Sequence, residues 1–228
     1  MSLVLMLGIM LAASWLVGAR FKSRFKLYAA TPLSSGLTGE EVALRMLAEH
    51  NIKDVQVIST GGQLTDHYDP TKRTVNLSQE VYYGRSVAAA AVAAHEVGHA
   101  VQHATAYSWL QFRSAMVPAL SVTSRIMPWI LLAGVLTLKA FPHFPQLLLV
   151  GIVLFAGTTL FTFVTLPVEF DASRRALVWL DRSNIAQSQQ HTMAKDALNW
   201  AAMTYVIAAL SSLATLLYYV SIFMNRRD

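Results

Sequence analysis

Four apolar blocks stand out along the chain, roughly Leu3 to Gly18, Ile126 to Leu138, Gln146 to Leu166 and Ala201 to Met224. The third and fourth are each long enough to cross a hydrocarbon core of ~30 Å as a helix. The first has no basic residue ahead of its apolar run and is followed by Arg20, Lys22, Arg24 and Lys26, so it reads as a retained anchor over residues 1–19 rather than a cleaved leader. The second spans only if its helix begins near Ala115 and carries Arg125 within it or at the bilayer edge. Residues 115–166 then form a transmembrane hairpin, closed by a proline-marked turn from Lys139 to Pro145, and residues 201–228 hold the last span.

The intervening stretches carry different periodicities. Thr38-Gly39-Glu40-Glu41 precedes Val42, Leu44, Met46 and Leu47, which predicts a short amphipathic helix capped by Thr38. Val55 to Ser59 and Arg73 to Leu77 alternate as strands do and are separated by turn-forming Gly61, Gly62, Asp66, Asp69 and Pro70, which predicts a β-hairpin. Gln79 to Ala106 is Ala-rich and free of proline, the composition of one long helix. A polar helical segment, residues 167–200, precedes the final span. The expected fold is a mainly α membrane protein of about four transmembrane helices. To these is added a small polar α+β region, residues 20–114, expected in the cytoplasm.

Composition and charge sharpen this. Of 228 residues, 54% are hydrophobic and 14% charged, outside the range of an ordinary soluble domain. With four spans, 15 of the 18 Lys and Arg fall on the side holding residues 20–125 and 174–195, which places the polar region in the cytoplasm and both termini outside. A net charge of +5 is accounted for by residues that anchor spans and meet anionic headgroups; it does not call for nucleic acid. The absence of cysteine excludes disulfides, thiolate zinc sites and cysteine catalysis, so any metal must be held by His and carboxylate.

The chemistry centres on His95-Glu96-Val97-Gly98-His99. Residues four apart share one face of a helix a turn apart, so the two imidazoles can converge on one ion. The glutamate between them is then placed as general base for a water acidified by zinc. A third ligand is needed. His103 is four residues further, roughly 12 Å along the axis from His95, too far to share an ion. Glu169 is better placed, because it opens a helix after Pro167 and the hairpin returns it to the same surface. Ala172, Ser173 and Ala176 share its face and permit close approach to the Ala-rich helix. Asp171 can orient a ligand histidine or pair with Arg174 or Arg175. His67 or Tyr68, in Thr65 to Asp69, can hydrogen-bond an oxyanion over the cleft, or the stretch can be an ordinary turn. The strand ahead of the helix offers an edge for an extended substrate.

HEVGHAVQHA, the upstream LTDHYDP and the downstream LPVEFDASRRAL, in that order and with LNWAAMTYV before the last span, resemble the YugP-like neutral zinc metallopeptidases. These are bacterial membrane proteins related at site level to the HtpX and CAAX-type peptidases. The resemblance runs from about Tyr28 to Tyr219 and implies a gluzincin site with one zinc ion, His95, His99 and Glu169 as ligands and Glu96 as base. Many gluzincins carry an aspartate four residues after the ligand glutamate, where this chain has Ser173. The expected function is hydrolysis of protein or peptide substrates at the cytoplasmic face of a bacterial cell membrane. The competing reading is a non-hydrolytic metal-binding membrane protein, a transporter or sensor, whose site would sit on spanning segments near the midplane.

Overall fold

The computed structural model describes residues 3–140 and 145–225. The turn expected at Lys139 to Pro145, like Arg226 and Arg227, falls largely outside the described residues. Seven helices and three strands follow in order among the described residues. They are α1 (Leu3–Ala29), α2 (Gly39–Glu49), β1 (Gln56–Thr60), β2 (His67–Asp69), β3 (Thr74–Ser78), α3 (Gln79–Tyr82), α4 (Val87–Ala104), α5 (Ser108–Ala140), α6 (Gln146–Arg182) and α7 (Gln189–Met224).

Four helices, within α1, α5, α6 and α7, are long and apolar enough to cross a membrane. Each runs beyond the apolar block that announces it, with Ala, Arg and Lys among the residues that extend α1 and Ala and Arg among those that extend α6. Leu11, Trp15, Val122, Trp129, Val153 and Leu217 are more than half exposed. Apolar surface on that scale suits lipid rather than water.

The chain divides into two compact units. One comprises Met1–Trp15, Gln111–Leu166 and Tyr205–Asp228, the other Leu16–Leu110 and Pro167–Thr204. In the first, Leu131, Leu148 and Ile152 form a core with Met127, Phe155, Leu216 and Tyr219 around it. Gly134 lies directly against the Leu148 backbone, where a Cβ would come within 2.6 Å of Cα. Thr159 and Ser212 share a hydrogen bond of 2.8 Å between α6 and α7, a pairing that keeps hydroxyls satisfied in an apolar setting.

The second unit packs α2, α4 and the sheet around Val42, Met46, Val75, Leu77, Val97, Leu180 and Ile185. Thr38 caps α2 as expected: its hydroxyl accepts from the Glu41 N–H at 3.1 Å, and the Glu41 carboxylate accepts from the Thr38 N–H at 2.7 Å. Two expectations need correction. The single helix from Gln79 is interrupted at Tyr83 to Ser86, because the chain turns tightly at Gly84 and Ser86 caps a new helix by accepting from the Ala89 N–H at 3.2 Å. The proline-started helix at Pro167 is instead a continuous α6, with Pro167 inside it.

The hairpin is also rearranged. β1 and β3 pair in parallel, and the segment between them supplies β2, which pairs antiparallel with β3. The order is therefore β1-β3-β2, with β3 buried along its whole length. Asp66 holds the crossover in place by accepting from the Ser78 N–H at 2.7 Å and its hydroxyl at 3.1 Å. The hairpin in the fold is thus β2–β3. The strand expected to offer an edge, β3, is enclosed on both sides.

Candidate metal centre

α4 carries His95 and His99 one turn apart with their rings 4.8 Å between centroids and nearly perpendicular. α6 brings Glu169 to them. Its Oε2 lies 3.3 Å from His95 Nε2 and 3.6 Å from His99 Nε2. The approach is possible because Gly98, between the histidines, faces the Ala172 backbone so closely that a Cβ would come within 2.7 Å of the Ala172 oxygen. Ala172 and Ala176 are fully buried at this contact, which is what the small-residue face of α6 predicts.

His99 and Glu169 are buried and His95 is partly so, and one ligand atom from each lies within 4.8 Å of the others. Two atoms bound at about 2.0–2.1 Å to one ion in tetrahedral geometry stand about 3.3–3.4 Å apart. The observed 3.3 and 3.6 Å match that spacing. Two imidazole nitrogens and a carboxylate oxygen form a donor set suited to zinc, with one tetrahedral corner left over. The three residues could therefore hold such an ion.

Behind the histidines stand two residues whose roles were not apparent in the sequence. The Ser173 hydroxyl lies 3.1 Å from His95 Nδ1, in the position four residues after Glu169. Gln102, fully buried, places Oε1 3.0 Å from His99 Nδ1. Asp171 is one step further back. It accepts from Gln102 Nε2 at 3.0 Å, from Arg174, and from Arg175 at 2.5 Å. Asp171 thus pairs with both arginines and reaches His99 only through Gln102. Spacing held a signal for both missed residues: Ser173 is i+4 from Glu169, and Gln102 is i+3 from His99.

Glu96 is buried beside this cluster, and burial pushes its carboxyl up to about 7 from 4.5. The charge of His95 opposes the rise, while Glu169 and Asp66 add to it and the Tyr68 backbone N–H, donating to the carboxylate, lowers it. The native metal-free protein therefore binds a proton here that the unfolded chain has released. Its stability is expected to fall by about 1–3 kcal/mol as pH rises from about 4.5 to about 7, and to level off above that. Thermal unfolding of chelator-treated protein across that range checks it, with Glu96→Gln flattening the slope.

β2 supplies the Tyr68 N–H, and its other side chains are placed as follows. Tyr68 Oη lies 2.8 Å from His103 Nδ1, so His103 is a hydrogen-bonded histidine apart from the cluster. His67 is exposed, with Nδ1 2.7 Å from the Thr65 carbonyl oxygen. The stretch Thr65 to Asp69, for which an ordinary turn is one reading of the sequence, contributes the short strand β2, which packs against α4.

Residues 3–224 match the family described as "Putative neutral zinc metallopeptidase". The chain belongs to that family. It is similar to a curated relative named "Putative membrane protease YugP", from Bacillus subtilis (strain 168), at 43% identity over 209 residues, covering 92% of this chain and 91% of the relative. No solved structure matches the chain. For a neutral zinc metallopeptidase with four helices suited to a bilayer, zinc is the ion that His95, His99 and Glu169 could hold.

Proposed function

We propose that the chain is a multi-pass membrane peptidase of the gluzincin kind. It cleaves protein or peptide substrates at the cytoplasmic face of a bacterial membrane, with one zinc ion on His95, His99 and Glu169. The observation that carries this is the pair of distances, 3.3 and 3.6 Å, from one Glu169 oxygen to two imidazole nitrogens. The orientation rests on the bias of Lys and Arg toward residues 20–125 and 174–195.

His95, His99 and Glu169 would hold the zinc, which would supply Lewis-acid polarisation of a peptide carbonyl and lower the pKa of water toward neutrality. Glu96 takes the proton of the attacking water and returns it to the leaving amine. Its raised carboxyl, near 7, suits both halves of that task. An extended substrate lies along β2, an outer strand of the sheet, beside the Tyr68 N–H that meets Glu96. His67, exposed on the same strand, is the group available to hydrogen-bond the oxyanion. A groove of about 330 Å³ reaches Ser173, next to His95, and its walls mix Phe170, Leu177 and Val178 with Arg174, Asp181 and Lys195, which offers room for a substrate side chain.

A metal transporter would hold its ligands on spanning segments. Two of the three residues are on α4, which is not among the candidate spans. Purified protein with one equivalent of zinc is expected to cleave an unfolded protein substrate, and anomalous scattering at the zinc edge to place the ion between the three side chains. An ion coordinated without Glu169, or uptake of zinc into vesicles without cleavage, overturns the reading.

A further inference from the structure

We infer that Gln102 fixes the proton of His99 on Nδ1 and thereby keeps Nε2 bare and turned toward the metal position; the inference rests on the metal-site reading above. The logic lies in what the Gln102 amide can do. Its Nε2 stands 2.8 Å from the Val168 carbonyl oxygen and 3.0 Å from Asp171 Oδ2. A carbonyl only accepts, and so does a carboxylate already receiving hydrogen bonds from Arg174 and Arg175. Turning the amide over would set its oxygen against two oxygens in a fully buried place, so the nitrogen must face them.

Oε1 is thereby committed to His99 Nδ1, 3.0 Å away, and an amide oxygen only accepts. The proton of a neutral His99 ring must then be on Nδ1. Its Nε2 carries a lone pair and faces the Glu169 oxygen at 3.6 Å, an arrangement of two acceptors that a cation resolves. Val168 immediately precedes Glu169 in α6. One buried amide therefore orients the imidazole of one ligand and holds the backbone beside another.

The anchoring continues outward. Asp171 is fixed by Arg175, whose guanidinium lies over the Tyr107 ring at 5.6 Å. Tyr107 Oη is 3.5 Å from the Pro167 carbonyl oxygen. His95 differs: its Nδ1 meets the Ser173 hydroxyl, which can donate or accept, so nothing there dictates where its proton sits. Gln102 is a positioning residue, and its absence should be felt by the ion through His99.

The test reads the tautomer directly. In detergent-solubilised, metal-free protein labelled with 15N in histidine, long-range 15N–1H correlation near pH 8 should show His99 protonated at Nδ1, assigned by its loss in His99→Gln. Gln102→Met keeps the volume but removes the acceptor. It is expected to lose that tautomer and to weaken zinc binding by about 10–100-fold. A role in packing alone leaves both the tautomer and the zinc affinity unchanged in that variant.

The inference fails if wild-type His99 is protonated at Nε2, or if the Met variant keeps both tautomer and affinity. Should the Met variant not fold, the wild-type tautomer still decides. Failure of the metal-site reading looks different: wild-type protein takes up no zinc, or Glu169→Ala takes it up equally well, whatever the tautomer shows.

Discussion

Glu96→Gln is expected to lower peptide hydrolysis by about 10²–10⁴-fold while zinc content stays unchanged. Glu96 is not part of the converging donor set, which consists of His95, His99 and Glu169. Glutamine has the same shape, and its oxygen can still accept from the Tyr68 N–H that meets Glu96. What it lacks is the capacity to take a proton. Because the native carboxyl is held up near 7 by burial, the neutral amide should also stabilise the metal-free protein above that pH. Initial cleavage rates of an unfolded substrate, measured beside zinc content, decide the matter: a variant as active as the parent removes Glu96 as base.

Gly98→Ala sets two effects against each other. Alanine is the better helix former by about 1 kcal/mol. Its Cβ, however, would sit 2.7 Å from the Ala172 oxygen and 3.2 Å from the Ala172 C and Cα. These are helix backbone atoms with no rotamer by which to withdraw. Overpacking of this kind costs about 1–3 kcal/mol, so the clash outweighs the propensity. Relief comes by shifting α6 near Glu169, one turn upstream of Ala172. Displacing a reacting group by about 1 Å can cost about 10²-fold in rate, so zinc affinity and hydrolysis should both fall at least tenfold in protein that still folds. Gly18→Ala, where nothing lies within 4 Å of the added atom, is the control. Equal zinc affinity in Gly98→Ala and the parent would show that the close approach of the two helices does not position Glu169.

The parts of the fold that announce themselves in the sequence are those governed by local spacing. Thr38 and Glu41 form their capping box within four residues, and the i,i+4 relation of His95 and His99 needs only a helix. Glu169 was reachable because the small residues around it, Ala172 and Ala176, signal close packing against Gly98. β2 was hidden for the opposite reason. It is three residues long, ends in Asp69 and is flanked by Asp66 and Pro70, all of which favour turns, and only pairing with distant β3 makes it a strand. The parallel pairing of β1 with β3 follows from that crossover and has no local mark. Pro167 reads as a helix start, yet α6 runs through it, because tertiary packing on both sides outweighs one lost hydrogen bond. Ser173 and Gln102 gain their meaning from ring nitrogens on another turn or another helix, and residue type alone assigns neither to a histidine.

The prolines of α5 bear on how the protein meets the bilayer. Pro118 and Pro128 lie inside the helix, and each removes an N–H that would have bonded a carbonyl four residues earlier, at Ser114 and Ser124. Between them Ser121, Thr123 and Ser124 turn their hydroxyls back onto the backbone, with Ser121 Oγ 2.7 Å from the Pro118 oxygen and Thr123 Oγ1 2.9 Å from the Ala119 oxygen. Such a stretch bends more readily than an unbroken ladder. A bilayer that thickens or thins is therefore accommodated by flexing of α5 between Pro118 and Pro128, ahead of strain in the more buried α6.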